Sequence, residues 1–212
     1  MKKNFLIMNI IILLLCVCAF TFLCVRVASF GGIWLDNKIV ENIGKIQSKP
    51  FTDFVKIFTN LGSAIWCSLL VLVLVAVVWI IMGKKSALVL TIGYLLTAIF
   101  SLVVKLVVKR ARPIGSLIEE TGYSFPSAHA MLSLFLFGIF AFLICNLLSK
   151  KWQKIILCVV FGILAICVSA TRLYLGVHYL SDVLAGWCIC LPVLSFSLSV
   201  AQNYKVKTGQ NQ

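Results

Sequence analysis

Acid is scarce in this chain. Of its 212 residues only 6 are Asp or Glu, charged residues of both signs make up 12%, and there are two histidines and four prolines. A soluble domain is about a quarter charged, so this shortage excludes a soluble globular enzyme. Beside 62% hydrophobic residues it excludes a disordered chain as well. Six scattered acids offer no carboxylate cluster to hold Mg²⁺, so no metal and no cofactor are expected. The nine cysteines lie almost wholly inside apolar runs, and none has metal-ligand spacing beside a histidine. They read as small apolar residues in helix packing, with no disulfide framework. No internal repeat or low-complexity tract is present. No small residue precedes Cys18 or Cys24 as a lipoprotein site would require.

What the chain has instead is length of apolar run. Mean hydropathy is +1.10, and runs fall at about 5–25, 58–82, 86–108, 130–148, 155–170 and 183–200. A membrane-crossing helix needs about 20 such residues. The pattern predicts an all-α polytopic membrane bundle of six transmembrane helices, forming one domain over 1–200 with a polar, unstructured cytoplasmic tail over 201–212. The first run exceeds the roughly 7–15 apolar residues of a secretory signal, so a retained helix is expected. The stretch 27–57 is the longest outside the spans, and its mixed charge and Gly31-Gly32 leave room for a short interfacial helix.

A net charge of +13 in a polar protein would suggest nucleic acid. Here the bases lie between apolar runs and read as topology determinants, with membrane lipids as the partner and no nucleic acid. A cytoplasmic N-terminus places Lys2, Lys3, Lys84, Lys85, Lys150, Lys151, Lys154, Lys205 and Lys207 inside, and all six acids outside. Both termini are then cytoplasmic. A cation channel does not fit, because the outer face is rich in Lys and Arg where such a pore would want acids.

Three outer segments concentrate the groups that are most costly near lipid. They are Lys105-Leu-Val-Val-Lys-Arg-Ala-Arg112-Pro113, Tyr123-Ser-Phe-Pro-Ser127-Ala-His129, and Thr171-Arg172-Leu-Tyr-Leu-Gly-Val-His178-Tyr-Leu-Ser-Asp182. Both histidines are there, and ionisable groups at membrane depth are functional candidates. Taken singly each has an ordinary reading. Lys105 can snorkel, Lys109 and Arg110 read as interface bases, and Glu119 and Glu120 as solvated loop charges. Arg112 before Pro113 can end a helix, and His178 and Asp182 can be a structural i,i+4 pair.

Together they point to an anion. Lys105, Arg112 and Arg172 put three cations where the positive-inside rule disfavours them. Lys105 and Arg112 are two helical turns apart and share a face if the helix persists. Pro126 suits the first turn of the next span, where free N–H groups and Ser127 favour an oxyanion. A phosphate explains all of these. Asp182 on the His178 Nδ1–H leaves Nε2 as nucleophile or base, and His129 can protonate a leaving group.

The three segments resemble the signature of the type 2 phosphatidic acid phosphatase family, in the superfamily that includes the vanadium haloperoxidases. Its pattern is Lys-x6-Arg-Pro, Pro-Ser-Gly-His and Ser-Arg-x5-His-x3-Asp. This chain carries Lys105-x6-Arg112-Pro113, Pro126-Ser127-Ala128-His129 and Thr171-Arg172-x5-His178-x3-Asp182, departing only at Ala128 and Thr171. The resemblance implies a metal-independent lipid phosphatase in which Lys105, Arg112, Ser127 and Arg172 hold phosphate. It implies His178 as nucleophile, His129 as acid and Asp182 as the group that orients His178. Undecaprenyl pyrophosphate, phosphatidic acid and phosphatidylglycerol phosphate are the substrates it suggests, in a bacterial plasma membrane with the site facing outward. A lipid phosphotransferase, or a non-catalytic protein that binds or translocates a phospholipid, would share the cations. The oligomeric state is not legible.

Overall fold

Lipid offers backbone polar groups no partner, so an apolar run that crosses it must bond to itself as a helix or join a closed barrel. The computed structural model describes residues 2–209, with side chains described for 5–204, and every regular element among them is helical. The elements are α1 (Lys2–Phe30), α2 (Trp34–Ile46), α3 (Lys49–Phe58), a 3-10 turn (Thr59–Gly62), α4 (Ala64–Met82), α5 (Lys84–Val108), α6 (Ala128–Leu147), α7 (Lys151–Tyr174) and α8 (Leu180–Gly209). Six of them, α1 and α4 to α8, are long and apolar enough to cross a membrane, as the run pattern predicts.

Three boundaries differ from the sequence reading. The second span begins at Ala64, not near 58, because a 3-10 turn intervenes and Ser63 caps α4 by accepting the Trp66 N–H. The 27–57 stretch holds two helices where one was expected. Residues 202–209, expected to be irregular tail, continue α8; residues 210–212 lie outside the described residues.

Helix α6 is the hub. It packs against α4, α5, α7 and α8, and its Met131, Phe135 and Ile139 are wholly buried. Around it, α1 rests on α8 and turns Leu14, Leu15 and Phe22 outward. In water those side chains would be a liability; in hydrocarbon they are in their own solvent. An apolar groove of about 600 Å³ lies between α1, α5 and α8, lined by Leu6, Leu13, Val89, Ile92, Phe196 and Val200.

Two contacts shape the end of the bundle that matters for chemistry. A Cβ at Gly186 would lie 2.9 Å from both the Ser127 carbonyl oxygen and Met131 Cγ, so glycine lets α8 close on the start of α6. The α2–α3 corner is tied to the end of α7 through Tyr174. Its hydroxyl bonds Thr52 Oγ1 at 2.9 Å and accepts the Ser48 N–H, and its carbonyl accepts from Gln47. Phe51, Phe54 and Ile57 of α3 point outward, an amphipathic arrangement suited to the membrane surface.

Candidate active site

The ends of α5 and α7 and the starts of α6 and α8 meet beneath the α2–α3 corner, and every candidate residue sits there. Lys105 is in the last turn of α5. The helix stops at Val108 because Lys109 adopts a left-handed conformation (φ 50°), and Arg112 lies beyond it, before Pro113. Ser127 occupies the N-cap position of α6 and His129 the first turn. Arg172 is in the last turn of α7. His178 lies in the turn to α8, two residues after Gly176 at φ +67°, and Asp182 is in the first turn of α8. The loop between α5 and α6 is held by Ser124 N–H to the Arg110 carbonyl at 2.8 Å, Leu117 N–H to the Leu175 carbonyl at 2.9 Å and Ser127 N–H to the Asp182 carbonyl at 3.0 Å.

His178 and Asp182 are both buried. Imidazole Nδ1 lies 3.3 Å from Asp182 Oδ2, and Arg112 Nη1 lies 3.3 Å from Nε2. A guanidinium only donates and a carboxylate only accepts, so both contacts select the tautomer with the proton on Nδ1. The Nε2 lone pair then faces the cations. Burial pushes the His178 pKa down to about 4, with Asp182 opposing that shift, so the ring is neutral at pH 7. Asp182 Oδ2 also accepts the Tyr179 N–H at 2.8 Å and the Ser124 hydroxyl. The pair therefore meets at a helix start, where an N3 carboxylate reaches back to the N-cap amide. His178 itself lies just outside the helix.

The cations converge on the same point. Arg172, Arg112 and Lys105 all lie close enough to act electrostatically on His129. Arg112 is fixed by the carbonyls of Val177 (2.8 Å), Thr121 (3.1 Å) and Gly122 (3.1 Å), and its partial burial lowers its pKa, with Glu120 and Asp182 opposing the shift. Lys105 Nζ donates to the Tyr123 carbonyl at 2.6 Å. Arg172 is almost wholly buried; it donates to Thr59 Oγ1 at 3.0 Å and pairs with Glu120. Glu120 also stands 3.6 Å from Arg112, so one carboxylate sits between two guanidiniums. Two buried donors, Ser127 Oγ and Arg172 Nε, have no partner among the described residues. Buried polar atoms are seldom left so unless a ligand or water completes them.

The site thus unites all seven residues singled out in the sequence, with four corrections. Arg112 does not share a helical face with Lys105, because the helix ends before it; the loop brings it in. Pro126 lies outside α6, one residue before its N-cap. Arg110 is no interface base: it is buried, donating to Asp182 Oδ1 at 2.5 Å, Asp36 Oδ2 at 2.9 Å and Ser181 Oγ at 2.7 Å. Glu120 is no solvated charge, whereas Lys109 and Glu119 are exposed as expected. Asp36, Thr59 and Ser124 went unnoticed. For Ser124 a signal existed, since it lies within the second segment; Asp36 and Thr59 carry none that spacing could show.

Comparison with known proteins gives a family and a fold. A family model described as the PAP2 superfamily matches residues 86–205. Phosphatidylglycerophosphatase B of Bacillus subtilis is 34% identical over 102 residues, 47% of this chain and 49% of that protein. Undecaprenyl-diphosphatase of Sulfolobus acidocaldarius is 31% identical over 132 residues, 58% of this chain and 59% of that protein. The matches thus span roughly half the length of these curated relatives. The fold resembles the crystal structure of a transmembrane PAP2-type phosphatidylglycerolphosphate phosphatase from Bacillus subtilis, with TM-score 0.79 and 22% identity over 92% of this chain and 96% of that one. It also resembles Aquifex aeolicus LpxE, with TM-score 0.61 and 21% identity over 79% and 96%.

Proposed function

The chain belongs to the PAP2 superfamily, and from that premise we propose that it is a membrane-embedded phosphatase removing phosphate from a lipid phosphomonoester or pyrophosphate at the extracytoplasmic face. The observation that carries this reading is the union of an aimed imidazole with unfilled anion donors. Nε2 of His178 presents a lone pair toward Arg112, and at the same end of the bundle Ser127 Oγ and Arg172 Nε are buried without partners among the described residues. A phosphate that completes those donors also displaces Glu120 from between Arg112 and Arg172.

Lys105, Arg112 and Arg172 hold the non-bridging oxygens, with Ser127 and the first amides of α6. Phosphoryl transfer asks mainly for in-line placement and charge neutralisation. His178 Nε2 forms the bond to phosphorus as the P–O bond to the leaving group breaks, and His129 gives that oxygen its proton. Asp182, accepting from Nδ1, compensates the positive ring. Water then attacks the phosphohistidine with His129 as base, releasing inorganic phosphate and restoring His178. The three cations neutralise the phosphate, and no three potential metal ligands cluster among the described residues; we propose turnover without a metal. The outward orientation is supported by exposed Lys84, Lys85, Lys150 and Lys151 at the far end.

The names of two relatives supply phosphatidylglycerol phosphate and undecaprenyl pyrophosphate for the panel, and the motif resemblance adds phosphatidic acid. The test is phosphate release by purified protein in excess chelator, beside His178→Ala. Chelator-resistant release that the variant lacks is expected; retained activity in the variant would overturn the nucleophile assignment. No release by the parent, with lipid binding intact, would favour a binder or a transferase lacking its acceptor. The ring's charge is checked separately. In a His129→Gln protein His178 is the sole histidine, and ¹⁵N NMR should show it neutral until the pH falls through about 4, against roughly 6.5 for an ordinary imidazole.

A further inference from the structure

The Asp182 carboxylate is held on one side by His178, Ser124 and the Tyr179 amide, and on the other by a group at a position that the first motif leaves unspecified. Arg110 Nη1 donates to Asp182 Oδ1 at 2.5 Å, and Nη2 donates to Asp36 Oδ2 at 2.9 Å and to the Gly31 carbonyl at 2.6 Å. Its guanidinium lies over the Tyr179 ring, 4.0 Å from the centroid. Asp36 comes from the first turn of α2 and reaches across to α8. Its Oδ1 accepts the Ser181 N–H at 2.9 Å, and its Oδ2 accepts the Ser181 hydroxyl at 2.6 Å. Asp36 is 2% exposed, Arg110 8% and Asp182 0%. The chain also makes room for the pair: a Cβ on Gly32 would lie 2.2 Å from Asp36 Oδ2 and 2.4 Å from Arg110 Nη2.

Packing alone would not require three buried charges in a row, since buried ion pairs replaced by apolar residues are often no less stable. Charge arithmetic gives them a purpose. Arg110 alone would cancel Asp182, and His178 would then take on positive charge with no counter-ion. Asp36 restores the balance: two carboxylates and one guanidinium sum to one negative charge, which equals what the ring gains on bonding to phosphorus.

We infer that Asp36 and Arg110 are positioning residues for the reaction, which together aim the Asp182 carboxylate at His178 and leave the buried cluster one negative charge to meet the charged ring. The inference rests on His178 as nucleophile, so His178→Ala is assayed alongside; activity in that variant would fail the nucleophile reading itself. With His178→Ala inactive, three variants decide: Asp36→Asn, Arg110→Gln and the double. Asp36→Asn is nearly isosteric and should lower kcat about 10- to 100-fold, as misplacement of an orienting group does. KM should stay within about two-fold, because the phosphate donors are untouched. Arg110→Gln leaves two carboxylates facing each other and should lower kcat at least as far. The double variant again sums to one negative charge and should recover about ten-fold over either single one, a rescue that independent structural losses would not produce. Each variant is checked for folding by its melting temperature and its inhibition by vanadate. Unchanged kcat in Asp36→Asn, or a double variant no better than the singles, would overturn the inference. If Asp36→Asn fails to fold, the double is scored against Arg110→Gln alone. Failure of all three to fold would make the pair a folding device and equally overturn it.

Discussion

The two ends of the bundle carry charge in opposite ways. At one end Lys84, Lys85, Lys150 and Lys151 stand exposed. At the other, Asp36, Arg110, His178 and Asp182 are buried and bonded to one another, and Arg172 is buried against Thr59 and Glu120. A solvated lysine is weakly tied to its surroundings and can mark orientation from almost any loop position. A buried charge must be paired or it is very costly, so each one dictates its neighbours' positions to within a few tenths of an ångström. One end is therefore described by composition, the other only by geometry.

The sharpest way to break that contrast is to unmake the buried end one role at a time. His129→Gln should lower turnover of lipid substrates about 10²- to 10⁴-fold, the range of a lost general acid. With p-nitrophenyl phosphate, whose leaving group needs little protonation, the first step should suffer far less. Equal losses on both substrates in single-turnover assays would remove His129 from the acid role. Next in size is Arg172→Lys. Lysine keeps the charge but cannot serve Thr59, Glu120 and the vacant Nε direction together. A fall in kcat/KM of about 10²-fold is expected, the effect of losing one fixed donor to a developing oxyanion. A loss below three-fold would mean that charge alone suffices there.

The same contrast explains what could be read from the chain. Six spans were legible because a 20-residue apolar run has one solution in lipid, and Lys105, Arg112, Ser127, His129, Arg172, His178 and Asp182 because their spacing is preserved within short segments. Arg110 was misread since it sits beside Lys109, which is an exposed base; two neighbours on one helix end differ in fate only through the Lys109 turn that sends the chain inward. Asp36 lies 146 positions from Asp182, and nothing local announces that α2 folds back over α8. Glu120 passed for a loop charge because one partner, Arg112, is brought to it only by the fold of their shared loop and the other, Arg172, comes from α7. Pro126 was read into the first turn of α6 and lies just before its N-cap, because proline at a helix start and proline just before it look alike in sequence. Burial and long-range pairing are the properties that a one-dimensional pattern does not carry.

Smaller effects sharpen the boundary between the two ends. Glu120 sits between Arg112 and Arg172, where the proposed function puts the phosphate. Glu120→Gln removes a competing charge while keeping the side chain's size, so vanadate should inhibit several-fold more tightly and KM should fall. Weaker vanadate inhibition would show instead that Glu120 helps to hold the guanidiniums in place. Smallest of all is the change expected from Lys84→Gln with Lys85→Gln. Those lysines lie a membrane thickness from His178: α5 separates Lys84 from Lys105 by 21 residues, about 30 Å at 1.5 Å per residue. The Debye length is about 8 Å at physiological salt, so their field does not reach the site, and kcat should stay within about two-fold in correctly inserted protein. On the proposed orientation, those lysines govern which way the chain inserts. If activity per inserted molecule dropped ten-fold, the far end would be coupled to the site through packing, and the division between a marking end and a working end would fail.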